Sequence, residues 1–152
     1  MVTKAARPAQ PKAKAKPKPK PKPKPKAAAY KLASRSWAPD RGDVIWIDCN
    51  PQVGREMRDM HPMAVLSPKA FNARTGIVIG LPMTSSISNE GNPFALDVSR
   101  GPEERSFVLC HQPKSFDWRQ RRASPHPWKK LASGELAAAC DGLNDIITLA
   151  AI

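Results

Sequence analysis

A polar stretch at residues 52–61 holds the side chains best suited to chemistry in this chain of 152 residues. Glu56, Arg58 and His61 place a carboxylate, a guanidinium and an imidazole close together in the sequence. Because free imidazole has a pKa of about 6.5, a histidine is a good proton shuttle at neutral pH. Acid–base groups beside a fixed cation suit attack on a phosphate ester. The alternative is that His61 only packs beside Pro62 and that Glu56 is an ordinary surface carboxylate.

Thr84 and Ser85 form a second polar site, shortly after the apolar run 76–81. A hydroxyl at a strand end can donate a hydrogen bond to a phosphate oxygen at little cost. The same pair of residues could instead only turn the chain where the strand ends.

A third polar stretch, residues 110–119, mixes amide, cationic and aromatic side chains. Gln112 can pair with the edge of a base, and Lys114 and Arg119 can hold phosphates. Trp118 can stack on an unpaired base. In the alternative interpretation Trp118 fills the end of the folded domain and the charges form a solvated face.

The sequence lacks the motifs of several other chemistries. Its three histidines lie far apart, with no cysteine or carboxylate at metal-ligand spacing, so we expect no metal site. It contains no phosphate-cradling glycine loop and no nucleophile elbow, which argues against a P-loop enzyme and a serine hydrolase. We therefore expect chemistry without a cofactor.

The cysteine pattern and the hydropathy indicate a reducing compartment. Cys49, Cys110 and Cys140 are an odd and scattered set, which favours packed thiols over a disulfide framework or a zinc site. No apolar run approaches the roughly 20 residues that a membrane helix needs. No apolar run follows the basic N-terminus, as it would in a secretory signal. We expect a cytoplasmic protein that does not engage a membrane.

The net charge of +12 belongs entirely to the first quarter of the chain. Residues 1–36 hold ten lysines, two arginines and no acidic residue, whereas residues 37–152 hold 13 basic and 13 acidic residues. Alternating proline and lysine predicts a disordered tail over 1–36, ahead of one folded domain over 37–152. The tail either binds RNA, DNA or another polyanion in a salt-sensitive way, or is a soluble linker.

Short apolar runs separated by turn residues predict the strands that must position these side chains. The expected strands are 44–47, 63–66, 76–81, 94–98 and 106–110, with 113–119 as a candidate sixth. Ser67 and Pro68 fit the start of a short helix. Ser133 fits the cap of a C-terminal helix. The expected apolar face of that helix comprises Leu136, Ala139, Cys140, Leu143, Ile146 and Ile147.

Several short strands followed by one amphipathic helix predict a mainly β fold, a small and strongly curved antiparallel barrel closed by a helix. About 115 residues can bury only a modest core, so dimerisation would add stability.

The ordered set of motifs resembles the MazF/PemK family of toxins from toxin–antitoxin pairs. The motifs that carry the resemblance are RGDVIWID at 41–48, GRE at 54–56, HPMAVLS at 61–67, LPMTS at 81–85 and CHQPKSFDWR at 110–119. No single motif is specific, but their order and spacing are, and the resemblance covers the chain from Pro39 onward.

The resemblance implies an SH3-like (PemK/MazF-like) barrel that forms a symmetric homodimer with an RNA groove at its interface. It implies a metal-independent endoribonuclease that cuts single-stranded RNA and leaves a 2′,3′-cyclic phosphate and a 5′-hydroxyl. A cognate antitoxin would be the partner, with a disordered segment lying along the groove in competition with RNA. An acidic segment would suit the lysines and arginines described above.

The resemblance also assigns roles to residues of the loop before the second strand. The family carries Gly, then Glu, then Arg-Pro, and that arginine is its main catalytic acid/base. The matching positions are Gly54, Glu56, His61 and Pro62, so a histidine stands where arginine is usual. Arg58 is a candidate for the missing permanent charge.

Thr84 matches the family's threonine that bonds the scissile phosphate. The catalytic set that we expect is His61, Thr84, Glu56 and Arg58. The expected RNA-binding set is Ser85, Gln112, Lys114, Trp118 and Arg119.

Two alternatives from other functional classes remain at this point. A non-catalytic toxin of the same fold would bind a protein such as gyrase and would need neither Thr84 nor His61. A nucleic-acid-binding protein would depend on the basic tail, with the barrel as a passive dimeriser.

Overall fold

The computed structural model describes residues 37–148. The predicted tail, residues 1–36, and residues 149–152 lie outside the described residues. The seven strands are β1 (Asp43–Asp48), β2 (Met60–Val65), β3 (Ile77–Thr84), β4 (Ala95–Asp97), β5 (Phe107–Leu109), β6 (Lys114–Asp117) and β7 (Ser124–Lys130). The two α-helices are α1 (Lys69–Thr75) and α2 (Ser133–Ile147).

The seven strands form one antiparallel sheet, in which six follow the order β4-β5-β3-β2-β1-β7 and β6 pairs with β3 outside this order. β3 is the longest strand, and β6 pairs with its first half while β5 pairs with its end. The expected mainly antiparallel β fold with a C-terminal helix is confirmed.

Both faces of the central strands are buried. Side chains alternate between the two faces along each strand, so each face contributes to a core of its own. One face builds a core from Ile45, Ile47, Cys49, Met63, Val65, Val78, Phe116 and Trp118. The opposite face packs with α2 through Val44, Ala64, Leu81, Met83, Val108, Ala139 and Leu143. The first of these two cores ends at the candidate site described below.

Two strand boundaries differ from the sequence prediction. β2 begins at Met60, so His61 lies in a paired strand opposite Ile47 and not in the preceding loop. β7 was not predicted, because Pro125 and Pro127 interrupt its strand pattern. A proline-containing strand is tolerated here because β7 stands at the end of the sheet order.

The start of α1 also differs from the prediction. Pro68 occupies the N-cap, and the Ser67 hydroxyl does not cap the helix. Instead the Ser67 hydroxyl donates to Asn72 Oδ1 at 2.6 Å and accepts the backbone N–H of Ile79 at 2.9 Å. Ser67 therefore links α1 to β3 by hydrogen bonds to both elements.

α2 starts at Ser133, so the predicted cap residue is already helical, and Ala132 precedes it. The Glu135 carboxylate accepts the backbone N–H of Ala132 at 2.8 Å and takes over the capping role. Of the predicted apolar face, Ala139 and Leu143 are buried and Leu136 is half-buried, whereas Cys140, Ile146 and Ile147 are exposed. No helix within residues 37–148 is long and apolar enough to span a bilayer.

Candidate active site

The register of β2 against β3 brings two predicted catalytic residues to the same end of the sheet. Met63 pairs directly with Pro82. His61 stands two residues before Met63, and Thr84 two residues after Pro82. Because the strands are antiparallel and side chains repeat every second residue, both point from the same face. Thr84 Oγ1 accepts the backbone N–H of Ser86 at 3.2 Å, which leaves the hydroxyl hydrogen to donate elsewhere.

Lys114 and Glu56 form an ion pair on the same face of the sheet. Lys114 pairs with Gly80 of β3, four residues before Thr84 and on the same face. Its Nζ lies 2.6 Å from Glu56 Oε2. The lysine side chain is only 17% exposed, against 50% for the glutamate, so the loop carboxylate covers a half-buried cation. The predicted loop and the third stretch are therefore in contact, and the strand end lies on the same face of the sheet.

The loop between β1 and β2 is fixed at its base. The Asp48 and Asn50 carbonyls both accept hydrogen bonds from Arg121 Nη1, and Asn50 exchanges two further bonds with Asp59. The backbone N–H of Asn50 donates to the Asp48 carboxylate and, with the Arg122 guanidinium, holds the pKa of that carboxyl below its usual range. The sequence alone gives no sign of this role for Arg121, since its partners lie more than 70 positions away.

Three other predicted residues border the cluster. Ser85 directly follows Thr84 and is exposed, and Arg58 is exposed on the loop. Gln112 precedes Lys114 by two positions, and its Oε1 is buried and makes no hydrogen bond within residues 37–148. A buried acceptor without a partner costs about 1–3 kcal/mol, a cost that a ligand N–H would remove.

The prediction that Trp118 stacks on a base is not supported, because the structure places its ring in the core. Trp118 is 6% exposed, and its Nε1–H donates to the Asn72 carbonyl at 2.9 Å. Trp37 packs edge-to-face against it at 5.7 Å. The alternative interpretation, that this ring fills the end of the domain, describes its position correctly.

Arg119 does not join the cluster around His61. Its guanidinium covers the Trp118 ring at 4.4 Å and donates to the Ala73 carbonyl at 3.1 Å. These partners lie at the start of β3, about 23 Å along the strand from Thr84 at its end. A role for Arg119 in RNA binding would therefore be remote from the reacting phosphate.

The three cysteines differ in reactivity. Cys49 and Cys110 are buried, which agrees with the packed thiols expected, but Cys140 is exposed. Burial raises the pKa of the Cys49 thiol to about 11, and burial also raises the pKa of Cys110. Since the thiolate is the nucleophile, both should be nearly inert at pH 8.

We expect iodoacetamide to alkylate Cys140 alone in the native protein at pH 8. Mass spectrometry of peptides before and after denaturation checks this, with Cys49 and Cys110 labelled only after unfolding. Rapid native labelling of Cys49 would contradict the packing described for this end of the core.

Residues that could hold a metal ion do not gather in the described part of the chain. Within residues 37–148 no three histidine, cysteine, aspartate or glutamate side chains form a ligand cluster. The polar groups at the candidate site are instead an imidazole, a hydroxyl, an ammonium and one carboxylate, from His61, Thr84, Lys114 and Glu56. Such a set can transfer protons and stabilise an anionic phosphate.

Comparison with known proteins matches residues 40–147 to the family described as "PemK-like, MazF-like toxin of type II toxin-antitoxin system". The endoribonuclease toxin MazF of Escherichia coli K12 is 39% identical over 88 residues, which cover 58% of this chain and 77% of that protein. The Escherichia coli endoribonuclease PemK is 28% identical over 94 residues, covering 60% and 70% of the two chains.

Solved structures agree with this match. A crystal structure of MazF from Deinococcus radiodurans has a TM-score of 0.67 and 31% identity, covering 74% of this chain and 99% of that one. A MazE–MazF structure from the same organism has a TM-score of 0.63 and 30% identity, covering 75% of this chain and 100% of that one. By its sequence, its fold and the order of its motifs, this chain belongs to the PemK-like, MazF-like toxins of type II toxin–antitoxin systems.

Proposed function

We propose that this chain is a toxin endoribonuclease that cleaves single-stranded RNA, including mRNA, at a short sequence without a metal ion. The relatives MazF and PemK are named as endoribonucleases, which supports the reaction class. The observation that carries the proposal is that His61, Thr84 and Lys114 project from one face of the sheet formed by β2, β3 and β6, where Lys114 pairs with Glu56.

The reaction that suits these groups is an internal transfer of the phosphate. A base removes the proton of the ribose 2′-hydroxyl, and the 2′-oxygen forms a bond to phosphorus. The bond to the 5′-oxygen breaks, and this oxygen receives a proton, which leaves a 2′,3′-cyclic phosphate and a 5′-hydroxyl. His61 is the group that moves a proton, since its imidazole can accept and donate.

Thr84 and Lys114 stabilise the charge that builds up on the phosphate. The Thr84 hydroxyl accepts a bond from the backbone and keeps its hydrogen to donate to the phosphate. Lys114 is half-buried, where a cation acts more strongly than in bulk water. Glu56 holds Lys114 in place before substrate arrives, and the phosphate then competes with the carboxylate for the ammonium.

Exposed groups around the cluster would hold the rest of the RNA. Arg58 on the loop adds a permanent cation, and Ser85 adds a hydroxyl beside Thr84. The Gln112 amide would pair with a base edge once its side chain turns outward, which gives sequence choice.

The partner that we propose is a cognate antitoxin, because structural relatives include MazE–MazF complexes. An acidic antitoxin segment would bind the same cations as the RNA backbone and so exclude it. The active form would be a homodimer in the cytoplasm, where mRNA and the antitoxin meet.

The test of this function is cleavage of a long single-stranded RNA by the full chain in excess EDTA. We expect discrete cuts by the parent protein and a loss of about 10²-fold in kcat/KM for Lys114→Gln, since a cation aimed at the developing charge is removed. Gel analysis with end-group mapping measures both the rate and the cyclic phosphate.

Lys130→Gln is the matched control. Lys130 also pairs with a carboxylate, that of Asp43 at 3.2 Å, but at the opposite end of β1. We expect it to cleave at the parent rate. A folded parent protein that cuts no RNA would contradict the proposal and leave the two binding functions described above.

A further inference from the structure

The proposed function leaves the most unusual part of the sequence without a role. Residues 1–36 carry all of the net charge of +12, while residues 37–152 are balanced at 13 basic and 13 acidic residues. A nuclease domain with no net charge gains little general attraction to a polyanion, because affinity for nucleic acid comes mainly from phosphate contacts. The charge missing from the domain is present in the segment joined to it.

The place where this segment joins the domain is fixed by contacts. Trp37 packs edge-to-face against Trp118 at 5.7 Å. The Asn72 side chain donates a buried hydrogen bond to the Pro39 carbonyl at 2.9 Å. The segment before Trp37 therefore starts beside α1 and the end of β6.

A row of cations connects this point with the candidate active site. It begins with Lys114 at the start of β6, in the Glu56 ion pair. Arg121 lies over the Phe116 ring at 4.1 Å, and Arg119 lies over the Trp118 ring at 4.4 Å. Phe116 and Trp118 belong to the same core. Arg121 also donates to the Asp48 and Asn50 carbonyls and Arg119 to the Ala73 carbonyl, so each guanidinium has a fixed position over its ring. We call these three residues the β6 cation row.

The β6 cation row has the geometry of a path for a phosphodiester backbone. Alternate residues of a strand lie about 6–7 Å apart, which is close to the spacing of phosphates in an extended single strand. A strand that leaves the site at Lys114 and passes Arg121 and Arg119 arrives beside Trp37. Residues 1–36, with their ten lysines, directly precede Trp37 in the sequence.

The lysines of the segment suit the phosphates of a nucleic acid. From Lys12 to Lys26 every second residue is a lysine, and no carboxylate is available to neutralise them. Fully extended, 36 residues reach at most about 120 Å, far more than the roughly 23 Å length of β3. The segment can therefore contact RNA well beyond the β6 cation row. Phosphate contacts carry little sequence information, so cleavage specificity would stay with the domain.

We infer that residues 1–36 are an electrostatic arm that binds the phosphodiester backbone of single-stranded RNA as it leaves the site along the β6 cation row. This inference rests on the proposed function for its substrate. The arm raises affinity and its salt dependence, and it leaves the position of the cut unchanged.

The experiment compares three full-length proteins: the parent, a variant with all ten lysines before Trp37 changed to Gln, and a matched variant with the same ten changed to Arg. The probe is a long, unstructured 2′-O-methyl RNA, which keeps its phosphates but lacks the attacking hydroxyl. Binding is measured by fluorescence anisotropy between about 50 and 200 mM salt.

For each lysine that engages a phosphate, the slope of log affinity against log salt should shrink by about 0.7. If half of the ten act, the Gln variant loses about 3–4 units of slope and at least about tenfold in affinity at the lowest salt. The Arg variant should keep both, because it keeps the charge.

Two results would overturn the inference: a Gln variant with the parent's salt slope, or a larger loss on duplex DNA than on RNA of equal length. The second result would make the segment a DNA-binding arm. Cleavage of unmodified RNA in EDTA is recorded in parallel. An inactive parent would contradict the proposed nuclease function but would leave the binding comparison intact, so the two failures are distinguishable.

Discussion

Changing His61 to alanine is expected to slow RNA cleavage by about 10²- to 10⁴-fold, the usual contribution of a positioned acid–base group. His61 stands on β2 opposite Ile47, at the end of a buried core and at the same end of the sheet as Thr84. Single-turnover cleavage with saturating RNA measures the chemical step directly. Circular dichroism of the variant confirms that the fold is retained.

His111→Ala is the control, because this histidine is exposed and its Nδ1 lies 3.3 Å from the Phe94 carbonyl. It should cleave at the parent rate at saturating RNA. His61→Arg restores the residue usual in the family and should retain cleavage, while any ionisation of the imidazole disappears from the pH–rate profile because an arginine stays protonated. Equal cutting by the parent and His61→Ala would move the proton-transfer role to Arg58.

Gly80→Ala is expected to destabilise the fold by about 3 kcal/mol, at the upper end of overpacking effects. A Cβ at this position would lie 2.3 Å from the Ala64 carbonyl oxygen and 2.6 Å from Met63 Cε. The carbonyl belongs to a strand paired with β3, so it cannot move without breaking the ladder. Urea unfolding at one protein concentration measures the difference in free energy.

Gly134→Ala is the matched substitution in α2. A Cβ there meets nothing within 4 Å. Alanine should raise the free energy of unfolding by roughly 0.4–1 kcal/mol by restricting the unfolded chain and favouring helix. If Gly80→Ala unfolded at the same urea concentration as the parent, the close approach of β2 and β3 described at this position would be wrong.

Most strands of the sheet could be predicted from the sequence, because they are short apolar runs between turn residues. β1, β3, β4, β5 and β6 each overlap the run predicted for them. The start of β2 at Met60 was missed because His61 and Pro62 interrupt the apolar run, which resumes at Met63. β7 was missed because its two prolines argue against a strand unless the strand stands at an edge.

The candidate site could be predicted only in part from the sequence, since its geometry depends on long-range contacts. The order of the motifs was enough to single out His61 and Thr84 as a pair. The partner of Glu56 could not be found in the same way, because Lys114 is 58 positions away. Trp118 was assigned to RNA from its polar neighbours, whereas its burial depends on a hydrogen bond to Asn72, 46 positions earlier.

The prolines of β7 have a consequence for how the protein behaves at high concentration. An edge strand has unpaired backbone N–H and C=O groups that can pair with a strand of another molecule. Such pairing is a common route to aggregation. Pro125 and Pro127 remove two amide donors from that edge, and a register shift against β1 bends it near Asp43. Lys129 and Lys130 then add charge where the strand ends. This edge of the sheet is therefore a poor template for intermolecular β-pairing, and the protein can be concentrated without strand addition at β7.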